Sequence, residues 1–142
     1  MYKITKLIKD HLENDNIKTM VIENDDTDCI VFIYRGFHVK KIRVNIIIEK
    51  GEMPTVMAYL QDTCDIPPNK LIFTIALVNK FCAEYNWMQF WIGSNFKFKI
   101  SAKSYVTEEN AGVIAEELGR MCANAYDEIY PEIVVAILRE EF

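Results

Sequence analysis

The sequence predicts an α+β fold, an antiparallel β-sheet meander with helices packed on it. Three observations carry this reading. Between Ile17 and Gln61, short runs rich in β-branched and aromatic residues are separated by turn signals. Two longer stretches, Lys70–Tyr85 and Thr107–Tyr130, place apolar residues at helical spacing. A hairpin follows the first of these with no linker. Consecutive strands joined by short turns pair antiparallel, and amphipathic helices cover such a sheet.

The first element is a helix over Tyr2–Asn14, with Ile4, Leu7, Ile8 and Leu12 on one side and Lys3, Lys6, Lys9, Asp10 and Glu13 on the other. The run Glu13-Asn14-Asp15-Asn16 ends it. A strand over Ile17–Glu23 leads to the turn Asn24-Asp25-Asp26-Thr27. The next strand, Asp28–Arg35, is apolar on both faces, as in a strand covered from two sides or one buried in an oligomer. In the third, Val39–Glu49, Ile42, Val44, Ile46 and Ile48 alternate with Lys41, Arg43, Asn45 and Glu49, so one face is core and the other largely solvated. Thr55–Gln61 reads as a fourth strand. Pro67-Pro68 then closes a loop before the second helix.

The second helix, Lys70–Tyr85, carries Leu71, Thr74, Ile75, Val78, Phe81, Cys82 and Tyr85 on its buried stripe. Ile72, Phe73 and Leu77 widen that stripe, which predicts a deeply packed helix. In the hairpin that follows, Phe96, Phe98, Ile100 and Ala102 alternate with Lys97, Lys99, Ser101 and Lys103. A Gly93-Ser94-Asn95 loop sets Ile92, Phe90 and Met88 against Phe96, Phe98 and Ile100 on the core side. On the other side it pairs Trp91 with Lys97, Gln89 with Lys99, and Trp87 with Ser101. The third helix starts with Thr107 as N-cap and early acids that suit the helix dipole. Tyr130-Pro131 interrupts it, and a short apolar helix over 131–141 ends the chain, docked on its own domain or on a second copy.

The 142 residues make one domain, 1–142, with 51% hydrophobic and 26% charged residues, a globular balance. A net charge of −5 with scattered lysines and arginines argues against nucleic acid, which needs a clustered basic face. The N-terminus carries no signal-type apolar run, and no stretch approaches the roughly 20 residues that span a bilayer. The four cysteines lack C-x-x-C spacing. No membrane and a reducing cytoplasmic location are therefore expected.

No reaction centre is legible. The two histidines, His11 and His38, have no partners at ligand spacing, so no metal site is expected. Cys82 and Cys122 read as core, Cys29 as strand, and Cys64 lies between Asp62 and Asp65, which raise rather than lower a thiol pKa. Asp25-Asp26-Thr27-Asp28 lacks the glycine and distal glutamate of a calcium loop and reads as a solvated turn. No phosphate-binding glycine motif or nucleophile elbow occurs, and no cofactor is expected.

One surface feature stands out. Trp87 and Trp91, with Gln89 between them and Lys97 and Lys99 opposite, lie on the non-core side of the hairpin. They either face a partner or are covered by a helix of the same chain. Lys97 is positioned for a cation–π contact with Trp91.

The segment Ala76-Leu77-Val78-Asn79-Lys80-Phe81-Cys82-Ala83-Glu84-Tyr85, then a strand pair, then Tyr105-Val106-Thr107-Glu108-Glu109-Asn110 opening a long helix, resembles the YbjN-type bacterial proteins, which are regarded as regulators of sensory transduction. Asn79 matches the first asparagine of that family's helix; Cys82 stands where a second is common. The resemblance spans most of the chain. It implies the fold of type III secretion chaperones, in the order α-β-β-β-α-β-β-α. It also implies a non-enzymatic, often homodimeric protein that holds a polypeptide partner on apolar surface. The expected partner-binding residues are Trp87, Gln89, Trp91, Lys97 and Lys99. The alternative is a ligand-binding or enzymatic domain with a pocket between helix 70–85 and the sheet, for which Asn79, Tyr85 and His38 are the available polar groups. A third reading is nucleic-acid binding through Lys97, Lys99 and Lys103, with the indoles as stacking platforms.

Overall fold

The computed structural model describes residues 1–139. It is an α+β protein in the order α1 (Lys3–Asn14), β1 (Met20–Glu23), β2 (Thr27–Tyr34), β3 (Ile42–Glu49), β4 (Thr55–Gln61), α2 (Leu71–Glu84), β5 (Gln89–Ile92), β6 (Phe98–Tyr105) and α3 (Ala111–Leu138). A single 3-10 turn, Pro68–Lys70, leads into α2. The strands form one six-stranded antiparallel sheet, ordered β1-β2-β3-β4-β6-β5. β1 to β4 form the meander. The β5–β6 hairpin joins it through β6, which leaves β5 as an edge. Four strands precede α2, as the residues indicate and one more than the family resemblance implies, because Lys50-Gly51-Glu52 turns the chain fully back and β4 pairs with β3 from Thr55 to Gln61.

All three helices lie on one face of the sheet. α3 crosses β3, β4 and β6 so closely that a Cβ on Gly119 would sit 2.9 Å from Phe32 and 3.1 Å from Val44. α1 lies beside α3 with Ile4, Ile8 and Leu12 buried. α2 reaches the sheet through Phe81, whose ring packs on Phe90 and Phe98. The core is the shared cluster beneath the helices, including Ile30, Phe32, Val44, Ile46, Ile48, Ala58, Leu60, Phe98 and Ile100.

Several elements depart from the sequence reading. β1 and β3 begin three residues late, at Met20 and Ile42; β3 does so because residues 36–41 are held as a loop. There the Asp127 carboxylate of α3 accepts N–H groups from Phe37, His38 and Val39 at 2.9, 2.7 and 2.8 Å. Asp28 is not part of a solvated turn. It is fully buried and accepts the Thr5 hydroxyl at 2.6 Å, with the Lys50 ammonium at 3.0 Å and the Asn24 N–H at 3.3 Å. Thr107 is not the cap of α3. The helix starts four residues later, and the Asn110 side chain accepts the Thr107 N–H at 2.7 Å. Pro131 does not start a separate helix but lies inside the continuous α3. Ile129, Ile133 and Ala136 keep the same helix face buried before and after the proline, and this packing outweighs the lost N–H. Of the expected 131–141 helix, 140 and 141 lie outside the described residues.

α2 is the largest correction. Only Thr74 and Phe81 are buried; Ile75 and Cys82 are exposed, and Ile72 is 81% exposed. The helix stands at the sheet margin beside the short β5 and packs mainly on β5 and α3, reaching β6 through Phe81. Its apolar residues run most of the way round, but its neighbours cover a narrow strip.

Candidate interaction surface

Strand alternation sends every second side chain to the face opposite the helices. Register places Met20, Ile22, Cys29, Val31, Ile33, Arg43, Asn45, Ile47, Met57, Tyr59, Gln61, Ser101, Lys99, Gln89 and Trp91 there. Among the described residues no helix covers this face. On this face Asn45 donates to Gln61 at 2.8 Å, while Arg43 Nε and Thr55 Oγ1 are buried without a partner. Ile22, Ile33 and Trp91 are exposed by 44%, 46% and 40%, while Ile47, Met57 and Tyr59 are half-buried. One side of a six-stranded sheet is thus apolar, mixed with a few cations, and open.

The structure brings the expected partner-binding residues together only in part. Trp87 and Trp91 are exposed, the first by 53%. Their environments differ, however. Trp87 lines a hollow of about 300 Å³ with Met57, Gln89 and Lys103 on the open face. Trp91 lies at the β5 edge, over a groove of about 330 Å³ shared with Leu71, Ile75, Val78 and Phe96. The hairpin register is two residues off the predicted one. Trp91 faces Lys99 and Gln89 faces Ser101, while Trp87 falls outside the paired strand. The turn is longer because the residues before β6 are claimed by the 62–66 loop. Ile66 donates its N–H to Phe96 O at 2.7 Å, Phe98 donates to Cys64 O at 3.0 Å, and Asp65 bridges Lys97. Phe96 takes a φ of 59° to allow this. A slip of two preserves which face each paired residue occupies, so Trp91 stays on the non-core side, while Trp87, outside the strand, is exposed. Lys97 makes no cation–π contact with Trp91; its ammonium lies 3.0 Å from the Asp65 carboxylate.

The alternative pocket exists only as open grooves along α2. The larger, about 620 Å³, lies between α2 and the end of α3 and is lined by Ile72, Phe73, Leu77, Lys80, Val135 and Arg139. Its charged residues among the described ones are Lys80, Glu132 and Arg139, and Lys80 pairs with Glu132 at 2.9 Å. Asn79 is solvent-exposed, Tyr85 stacks on Phe90, and His38 belongs to the loop held by Asp127. Burial raises the pKa of Cys29 and Cys64, and pushes Cys122 up to about 12.

Sequence reading missed one cluster. His11 and Asp15 at the end of α1 meet Glu116 of α3. The i,i+4 spacing of His11 and Asp15 is visible in the sequence, but Glu116 joins them only through helix packing. Burial, followed by the hydrogen bond and charge of Asp15, raises the Glu116 pKa against the opposing pull of Arg120 and His11.

Fold and surface together define a two-layer α+β protein with helices on one side and an open, partly apolar sheet on the other. The chain matches no protein-family model, and comparison with curated proteins and with solved structures gives no significant match. Among the described residues no helix is long and apolar enough to cross a membrane.

Proposed function

We propose that this protein is not an enzyme and works by holding another polypeptide on the uncovered face of its sheet, as a YbjN-like homodimer in the cytoplasm. The observation that carries the reading is the one-sided distribution of helices. It leaves Ile22, Ile33 and Trp91 exposed beside half-buried Ile47, Met57 and Tyr59 on one broad surface. An apolar face of this kind suits a partner that brings its own apolar face or an extended strand. Trp87 and Trp91 are the anchors of that contact, because tryptophan gives a large apolar area with few rotatable bonds. Gln89, Lys97 and Lys99 form its polar rim. Four unpaired cysteines fit a reducing compartment.

The nucleic-acid reading is weaker. Lys97 and Lys103 are paired with Asp65 and Glu49 at 3.0 and 3.3 Å, so the row of lysines has little free charge for phosphates.

The test is the Trp87→Ala, Trp91→Ala double variant. Its circular dichroism should match the parent's, because neither ring is part of the core. Its self-association, read by sedimentation velocity, or its recovery of cytoplasmic partners, should fall by about tenfold or more, as expected on losing an aromatic anchor. Unchanged sedimentation together with unchanged partner recovery would discard the reading.

A further inference from the structure

His11, Asp15 and Glu116 each offer one ligating atom, and these atoms all lie within 4.8 Å of one another. Nε2 of His11 is 3.7 Å from an oxygen of each carboxylate. Ligands held at about 2.0–2.2 Å around one tetrahedral zinc ion stand roughly 3.3–3.6 Å apart, so the two imidazole–carboxylate separations already lie close to what such an ion needs. The protein leaves part of this cluster unsatisfied. Oε1 of Glu116 is buried and has no hydrogen-bond partner. Arg120 approaches the other oxygen at 3.6 Å, but its side chain is 57% exposed and can swing into solvent.

The three groups are held from two directions. His11 and Asp15 project from one turn of α1 at i,i+4, and the Asp15 N–H closes that turn on the His11 and Leu12 carbonyls. Glu116 projects from α3. The two helices come this close because position 112 is glycine; a Cβ there would lie 2.5 Å from the Cβ of His11.

We propose that His11, Asp15 and Glu116 form a three-ligand site for a divalent transition-metal ion, zinc being the best match. One imidazole and two carboxylates are donors that such ions accept, and the two negative charges balance the cation. The hard cations calcium and magnesium are poorer fits, since they favour all-oxygen shells. Beside the two acids lies a hollow of about 300 Å³, lined also by Ile17, Tyr34, Arg35 and Arg120, where a fourth ligand could enter. The two guanidinium groups there favour an anionic fourth ligand over a neutral one.

Zinc chloride is titrated calorimetrically into the metal-stripped full chain, with imidazole nitrogen shifts recorded in parallel. The expected result is one equivalent bound with micromolar or tighter affinity and a shift of the His11 Nε2 resonance. His11→Gln and Glu116→Gln should each weaken binding by at least about tenfold. Cys82→Ser, which removes the exposed thiol, and His38→Gln should leave it unchanged. Zinc binding that persists in His11→Gln, binding lost in Cys82→Ser, or no binding at about 100 μM zinc would each overturn the site. So would saturation that leaves the His11 resonances unmoved, a measurement on the unaltered chain that does not depend on any variant folding.

Discussion

Asp127 shows how much of this structure depends on single carboxylates. Burial alone would raise its pKa, but the N–H groups of Val39, Phe37 and His38, aided by the His38 charge, hold it below the ordinary value of 3.8. Asp28 behaves alike: burial is opposed by the Thr5 hydroxyl, the Lys50 ammonium and the Asn24 N–H, and the net shift is downward. A carboxylate whose pKa is lower in the folded than in the unfolded chain stabilises the fold above about pH 4, and that stability is lost as pH falls through the folded value. Glu116, shifted upward, has the opposite sign: its contribution is present at low pH and is lost as pH rises through its folded value. We predict that unfolding free energy falls steeply below about pH 4. Asp127→Asn should cost about 1–2 kcal/mol at neutral pH, the scale of charge-assisted hydrogen bonds, and should flatten the acid limb. Urea titrations between about pH 2 and 7 measure both effects, and an acid limb unchanged in the variant would remove Asp127 from the account.

Among the elements, α3 and α2 illustrate opposite errors of local reasoning. α3 reads as two helices because proline lacks the N–H for the Asp127 carbonyl, yet it runs unbroken from Ala111 to Leu138. Its buried residues on both sides of Pro131 share one sheet-facing line, and tertiary packing overrides the local preference. Pro131 itself faces solvent, so replacing it disturbs no core contact. Pro131→Ala should therefore stabilise the protein by about 1–3 kcal/mol, the range of an interior helix proline. Equilibrium unfolding measures this, and a loss of stability would show that the proline serves a local geometry after all. α2 reads as deeply buried because it is apolar nearly all round. Its position at the sheet margin leaves it few neighbours, so Ile72 and Ile75 remain in water.

At the scale of the molecule, two apolar surfaces compete for a partner: the open sheet face and the groove between α2 and the end of α3. The sheet face carries Trp91. A charge on each discriminates them. Ile33→Glu, at a 46% exposed sheet position, should abolish self-association or partner capture, whereas Ile72→Glu, 81% exposed on α2, should leave it intact. Light scattering on both variants gives the answer; the reverse pattern would move the docking surface to the helical groove.

The α+β class, the four strands before α2, the core face of β3 and the outward side of Trp91 were all legible in residue order, whereas β2, apolar on both faces, read as covered from two sides and is covered by helices on one only. The legible features depend on periodicity, which is local: alternate residues of a strand must face opposite ways whatever the rest of the chain does. The hairpin register, the exposure of α2 and Cys82, the burial of Asp28, the unbroken α3 and the meeting of His11 with Glu116 were not. Each depends on which distant segment lies alongside. The 62–66 loop takes the hydrogen bonds that would have tightened the hairpin, and the glycine at 112 lets α3 close on His11. A pattern of apolar residues states that a surface seeks cover, but whether cover arrives is decided by where the chain places its neighbours.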